Sequence, residues 1–320
     1  MADQFVTLLD LTALNPTEAD TAVGIVEIVR DFAPEVRTFS GRPIVGTNDY
    51  VRRRKVLPGG TTLGGTLFRA VGDGVDTEAS KYEKILQECF FLDGQLQVDE
   101  ALVKADPKRQ GDIMALETKG QIEAKFLGLG RAFYYGTGRD AKSFYGLQQL
   151  CDSGMVVAGS ATGSTTESAY LVRNSLDGMH WLYGNGVGLQ AGQWMKQQVT
   201  GNNSKKLMAY VNNFSGYIGL GMVHPLSICR ISNLDDSGTS GKFLTDKMVA
   251  QAMAKFPVGY PSTHLCVSRR QRYWLQQSRT VVSQGNMTNT LTGFPPVPTE
   301  SQGIPLVVTD AISLTETATS

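Results

Sequence analysis

Three histidines, four cysteines and two adjacent acid pairs are the residues of this chain best suited to chemistry, and their settings decide what they can do. A side-chain nucleophile works only with a base beside it and a group that orients the base. His180, His224 and His264 stand in no GxSxG or HExxH context, so the sequence offers no nucleophile elbow and no zincin helix. Cys89, Cys151, Cys229 and Cys266 are too widely spaced for a zinc ribbon or finger. They read as small buried hydrophobes in a reducing compartment. Asp99–Glu100 and Asp235–Asp236 lie at a strand end and in a glycine-serine loop, where solvated turn acids are expected. The glycine clusters at 59–65, 128–136 and 184–188 lack both a P-loop lysine and a strand-to-helix crossover, so they read as turn or packing glycines. The chain is therefore expected to be no enzyme and to need no cofactor or metal.

Cations are more suggestive. Arg52, Arg53, Arg54 and Lys55 form a run inside a strand-like stretch, which places them alternately on two faces. They are expected either to be solvated or to make ion pairs with an adjacent subunit. Arg269, Arg270, Arg272 and Arg279 surround Tyr273 and Trp274. Arginine interleaved with aromatics can bind nucleic acid, so a nucleic-acid-associated protein using residues 269–279 is the alternative function. With 30 basic and 30 acidic residues in all, the chain has no excess charge to drive such binding. In a DNA-containing assembly Arg269, Arg270 and Arg272 would be DNA-facing or rim charges. A hydrolase whose site has no motif is a third reading.

The elements around these residues read as α+β. Residues 1–45 form an arm with one helix, begun by Asn15 and Pro16 and ended by Pro34. Its stripe includes Val26, Val29 and Phe32, which must dock on this subunit or a neighbour. Residues 46–98 read as a long hairpin with a glycine-rich tip; a hairpin has little core of its own and needs a partner surface. Asp106 and Pro107 precede a long helix through 112–136, with Ile113, Leu116, Ile122, Phe126, Leu129 and Phe133 on one stripe. Residues 167–186 read as two strands about an Asp177–Gly178 turn, followed by strands at 205–223 and 226–234. Helices capped by Thr245 and Ser268 follow, with strands at 263–268 and 303–312 and a frayed tail. No secretory leader and no apolar stretch of membrane-spanning length is evident.

This order of parts resembles the major capsid proteins of tailed bacteriophages, with the Hong Kong ninety-seven fold. The resemblance rests on RPIVGTNDYVRRRKVLP (42–58), FFLDGQLQVDEALV (90–103), GLGRAFYYG (128–136), RISNL, KFPVG (255–259), SRRQRYWLQQSR and GIPLVVTDAI. It implies an N-terminal arm at 1–45, an E-loop hairpin at 46–98, a peripheral domain with a spine helix at 99–136 and 167–235, and an axial domain at 137–166 and 236–320. In many members the strands similar to YLVRNSLDGMHWLYGNG come after the one similar to GIPLVVTDAI; here they come before it, which implies a permuted segment order. The family's function implies self-assembly into hexamers and pentamers of an icosahedral head around double-stranded DNA, built in the bacterial host cytoplasm and residing in the virion. The implied partners are other copies of the chain, a portal, a separate scaffolding protein and a decoration protein, with no membrane.

Overall fold

The computed structural model describes residues 33–56, 70–72, 81–105, 110–186, 190–201, 204–239, 241–279 and 296–318. The arm helix with Val26, Val29 and Phe32, the tip at 59–65 and the Asp106–Pro107 cap lie outside those residues. The strands are β1 (Gly41–Pro43), β2 (Asn48–Val56), β3 (Lys81–Glu88), β4 (Phe90–Asp99), β5 (Val156–Ala158), β6 (Glu167–Val172) and β7 (Met179–Tyr183). They continue as β8 (Gln190–Ala191), β9 (Met195–Thr200), β10 (Lys206–Met222), β11 (Ile228–Leu234), β12 (His264–Ser268), β13 (Glu300–Ser301) and β14 (Ile304–Thr309). The helices that matter below are α1 (Pro34–Thr38), α2 (Glu100–Ala105), α3 (Gln110–Tyr135), α4 (Asp246–Met253) and α5 (Arg269–Gln277).

Three sheets organise the described residues. Sheet 1 runs β1-β7-β10-β4, with β8 and β9 also paired to β10. Sheet 2 runs β13-β14-β12-β6-β11-β5, and β2 pairs with β3 alone in a two-stranded ribbon. The sequence marks the difference between exposed and enclosed strands. Along β4 the odd positions Phe91, Asp93 and Gln95 are exposed, while Leu96 and Val98 turn inward, the period-2 pattern of a half-solvated strand. Every residue of β6 and β11 is buried, as for central strands covered on both faces.

Helix α3 has 26 residues and so spans about 39 Å. Ile122, Phe126, Leu129 and Phe133 are buried along one stripe, each contributing roughly 2 kcal/mol of transfer free energy. Phe133 is fully buried with its ring 5.0 Å from Phe39 and 5.1 Å from Trp181, so α3, the N-terminal segment and sheet 1 meet there. The close approach expected at the helix glycines is found at Gly130, where a methyl group would lie 3.3 Å from Glu35 Oε2; Gly120 and Gly128 face open space.

Several sequence expectations need correction. The segment 167–186 is not a hairpin, because β6 belongs to sheet 2 and β7 to sheet 1. Asp177 and Gly178 lie instead in a crossing between sheets, fastened by the Arg173–Asp177 ion pair at 2.9 Å. In sheet 2, β6 pairs with β12 and β11, and β11 pairs with β5. The second hairpin arm breaks at Cys89: β3 pairs with β2, whereas β4 joins β10 over ten register positions. The tail is not frayed through 318. Thr166 and Glu316 exchange backbone hydrogen bonds of 3.1 and 2.7 Å, and the Ala318 amide donates to the Gly163 carbonyl.

Candidate functional site

The catalytic candidates are not brought together. His180 is fully buried in β7, the His224 ring stacks on Tyr260 with centroids 4.7 Å apart, and His264 meets the edge of Phe39. Burial holds all three imidazoles below their ordinary pKa. All four cysteines are free, and burial pushes Cys89 and Cys151 up to about 11 and Cys229 to about 12, the opposite of an activated thiolate. Among the described residues no group of three or more histidine, cysteine or acidic side chains could hold a metal. No helix among them is long and apolar enough to cross a membrane.

Charged residues supply contacts instead. In the ribbon, alternation puts Tyr50, Arg52, Tyr82, Lys84 and Leu86 on one exposed face. Lys84 Nζ sits 3.6 Å from the Tyr50 ring centroid, a cation–π contact. Arg53 points to the other face, where its guanidinium meets Glu83 Oε2 at 3.0 Å across the register. Arg53 is therefore engaged inside its own hairpin, while Arg52 is exposed to solvent opposite Lys84. Arg54 and Lys55 continue β2; only their backbone positions are described.

Helix α5 places its arginines against acids of this same chain. Ser268 accepts from the Gln271 amide as the N-cap the sequence suggests. Arg270 Nε donates to buried Glu167 at 2.6 Å, Arg269 pairs with Asp310, and Arg279 grips Asp246 through two nitrogens at 2.9 and 3.0 Å. Tyr273 is half exposed and Trp274 stacks on Phe243 with centroids 5.2 Å apart. Of the three proposed rim charges, Arg269 and Arg270 thus pair with acids of this same chain, the Arg269–Asp310 pair in an exposed position. Burial works against ionised Asp246, yet Arg279 and Ser301 hold its carboxyl below the usual range. This contribution is present above the ordinary carboxylate pKa and is lost as pH falls through the lowered one. Asp246→Asn is expected to cost about 1–2 kcal/mol at neutral pH, read as a lower urea midpoint whose deficit narrows on acidification.

Besides Glu167, two more buried acids escaped the sequence reading. Glu35, in α1, accepts from Tyr134 Oη at 2.9 Å, and the Glu35 carbonyl accepts from Trp181 Nε1 at 3.3 Å. Desolvation raises the Glu35 pKa. Glu316, in the tail, accepts from Arg230 Nη2 at 2.8 Å, Ser168 Oγ at 2.6 Å and Tyr135 Oη at 2.6 Å. A signal existed for the second: Arg230 interrupts the apolar run of β11, and a buried arginine requires a carboxylate. These two sites fasten the N-terminal segment and the C-terminal tail to the body.

No curated protein matches. A chain in the near-atomic structure of bacteriophage epsilon15 superposes with a TM-score of 0.70 at 17% identity, covering 99% of this chain and 98% of that one. The bacteriophage JBD30 capsid gives 0.49 at 12% identity, covering 96% and 99%. The SrpI encapsulin of Synechococcus elongatus gives 0.43 at 13%, covering 72% and 97%. The family described as major capsid protein GP7 matches residues 24–320. With that match over most of its length, on a mixed α+β capsid fold, the chain belongs to the major capsid protein GP7 family of tailed bacteriophages.

Proposed function

We propose that the chain builds the icosahedral head of a tailed phage through hexamers and pentamers, enclosing double-stranded DNA. The family match over residues 24–320 is the observation that supports this most directly. In this reading sheet 1 with α3 is the peripheral domain, and sheet 2 with α4 and α5 is the axial domain. The head is assembled in the host cytoplasm around a separate scaffolding protein and a portal, a decoration protein covers its outside, and non-specific contacts hold the DNA. The β2–β3 ribbon is the physical argument for contacts between copies. Among the described residues its strands pair only with each other, and it presents Tyr50, Tyr82 and Leu86 to solvent. Many modest interfaces acting together stabilise a closed lattice.

Arg52, Arg54 and Lys55 are assigned to ion pairs between subunits or capsomers, and Val26, Val29 and Phe32 to docking of the arm on a neighbour. Arg53 is set apart by its bond to Glu83. Reversing Arg52 and Lys55 to glutamate is expected to cut the yield of closed shells by about tenfold, although a single surface pair is worth only about 0.5 kcal/mol. Sedimentation of the variant at the wild-type shell position in undiminished amount would refute this assignment. Removing residues 1–32, so that the chain starts at buried Ala33, should leave a folded subunit that fails to close. Particles of normal size from the truncated protein, seen by electron microscopy, would contradict it.

A further inference from the structure

The seam between α1, α3 and the end of β14 holds a carboxyl in a setting unlike that of Glu316. Glu35 is fully buried on α1, where residues 33–39 join the N-terminal segment to the body. Its carbonyl accepts from Trp181 Nε1 of β7, and its Oε1 accepts from Tyr134 Oη at 2.9 Å. On the other side a methyl group at Gly130 of α3 would come within 3.3 Å of Oε2 and 3.4 Å of the Ala311 methyl, so the carboxyl is closely packed. The groups that face it are neutral or acidic. Tyr134 comes from α3 with Cys266 of β12 behind it, and Thr309 and Asp310 come from the end of β14. Asp310 itself pairs with Arg269. At the C-terminal end of α1, His264 of β12 packs on Phe39, and Arg37 is exposed. Among the described residues no cation forms an ion pair with Glu35, whereas Arg230 meets Glu316 at 2.8 Å.

A carboxylate sealed from water among hydroxyls costs far more than the neutral acid, which donates from one oxygen and accepts at the other. We propose that Glu35 is a proton-held catch on the N-terminal segment: its neutral carboxyl keeps α1 seated against α3 and β14, and loss of that one proton to solvent unseats residues 33–39. The surroundings give the direction. Burial favours the neutral acid most and the Asp310 carboxylate adds to it, while the Thr309 hydroxyl, the Glu35 backbone and the Tyr134 hydroxyl favour the charged form by less. The seated carboxyl therefore lies above its ordinary pKa, and seating binds a proton. That contribution is complete below the ordinary carboxylate range and is lost as pH rises from there through the raised value. The three histidines, held below their ordinary pKa by burial, act with the opposite sign. Burial pushes Tyr134 and Cys266 up, so both stay protonated while Glu35 titrates.

Hydrogen–deuterium exchange on the unassembled 320-residue protein tests this, so failure of shell formation and failure of the catch are separate results. The amides of Val36 and Phe39, bonded to the Ala33 and Glu35 carbonyls, report on α1. After correction for intrinsic rates, their protection should fall by about tenfold or more between about pH 5 and pH 8. A peptide covering β11, in the centre of sheet 2, should not share that fall. Glu35→Gln keeps a donor and an acceptor but has no proton to lose. Its α1 protection should change by less than about twofold over the same range and exceed that of the wild type at pH 8. If Glu35→Gln does not fold, Tyr134→Phe decides: it removes a hydroxyl that favours the charged form, so the loss of protection should move to higher pH. Flat protection in the wild type, the same fall in Glu35→Gln, or an unmoved midpoint in Tyr134→Phe would overturn the proposal.

Discussion

Glu316→Ala is expected to destabilise the subunit by about 3–5 kcal/mol, the largest loss from any single charged residue described above. Its carboxylate receives Arg230, Ser168 and Tyr135 together, and Arg230 and Glu316 are both almost wholly buried. Deleting the acid leaves a guanidinium inside sheet 2 with Ser168 as its hydrogen-bond partner. It also takes away the acceptor of the Tyr135 hydroxyl at the end of α3, while the bonds from Thr166 to the backbone of residue 316 remain. The loss would be read as a shift of the urea midpoint. Arg230→Met together with Glu316→Leu should recover much of it, because an apolar pair of similar volume avoids the uncompensated charge. If Glu316→Ala costs less than about 1 kcal/mol, the network is not a structural anchor.

Gly136→Ala is expected to cost about 3 kcal/mol or more. Gly136 closes α3 at φ +46°, and a methyl group there would lie 2.2 Å from both the Gly146 nitrogen and the Phe144 carbonyl oxygen. Those atoms are backbone and cannot rotate aside, so the cost combines a left-handed conformation with a steric overlap. Gly128→Ala, on the exposed side of the same helix with nothing within 4 Å, should do the reverse and stabilise by up to about 1 kcal/mol. Comparing the two melting temperatures isolates the local geometry from helix propensity. Equal shifts in the same direction would contradict this account.

Legibility in the sequence followed the range of the interactions. Thr245 and Ser268 cap α4 and α5 as their positions suggest, because a cap needs only a hydroxyl and an amide three residues on. The α3 stripe and the β2–β3 pairing were likewise readable from local spacing. Sheet membership was not. Val172 ends one sheet and Met179 begins another, yet a short linker with Asp-Gly is also what a hairpin would use. The Cys89 break is set by β10, about 130 residues further on, whose long ladder claims β4. The anchors at Glu35 and Glu316 were missed because their partners are 86 to 181 residues away. Of the basic runs, the sequence showed the cations but not the acids that neutralise Arg53, Arg269, Arg270 and Arg279.

Assembly itself is the most direct test of the central claim. The protein would be produced alone and together with a proposed scaffolding protein, then followed by sedimentation and negative-stain microscopy. Closed shells, or six- and five-membered rings, are the predicted result. A monodisperse monomer under both conditions, with no rings at any protein concentration, would contradict the shell-forming role.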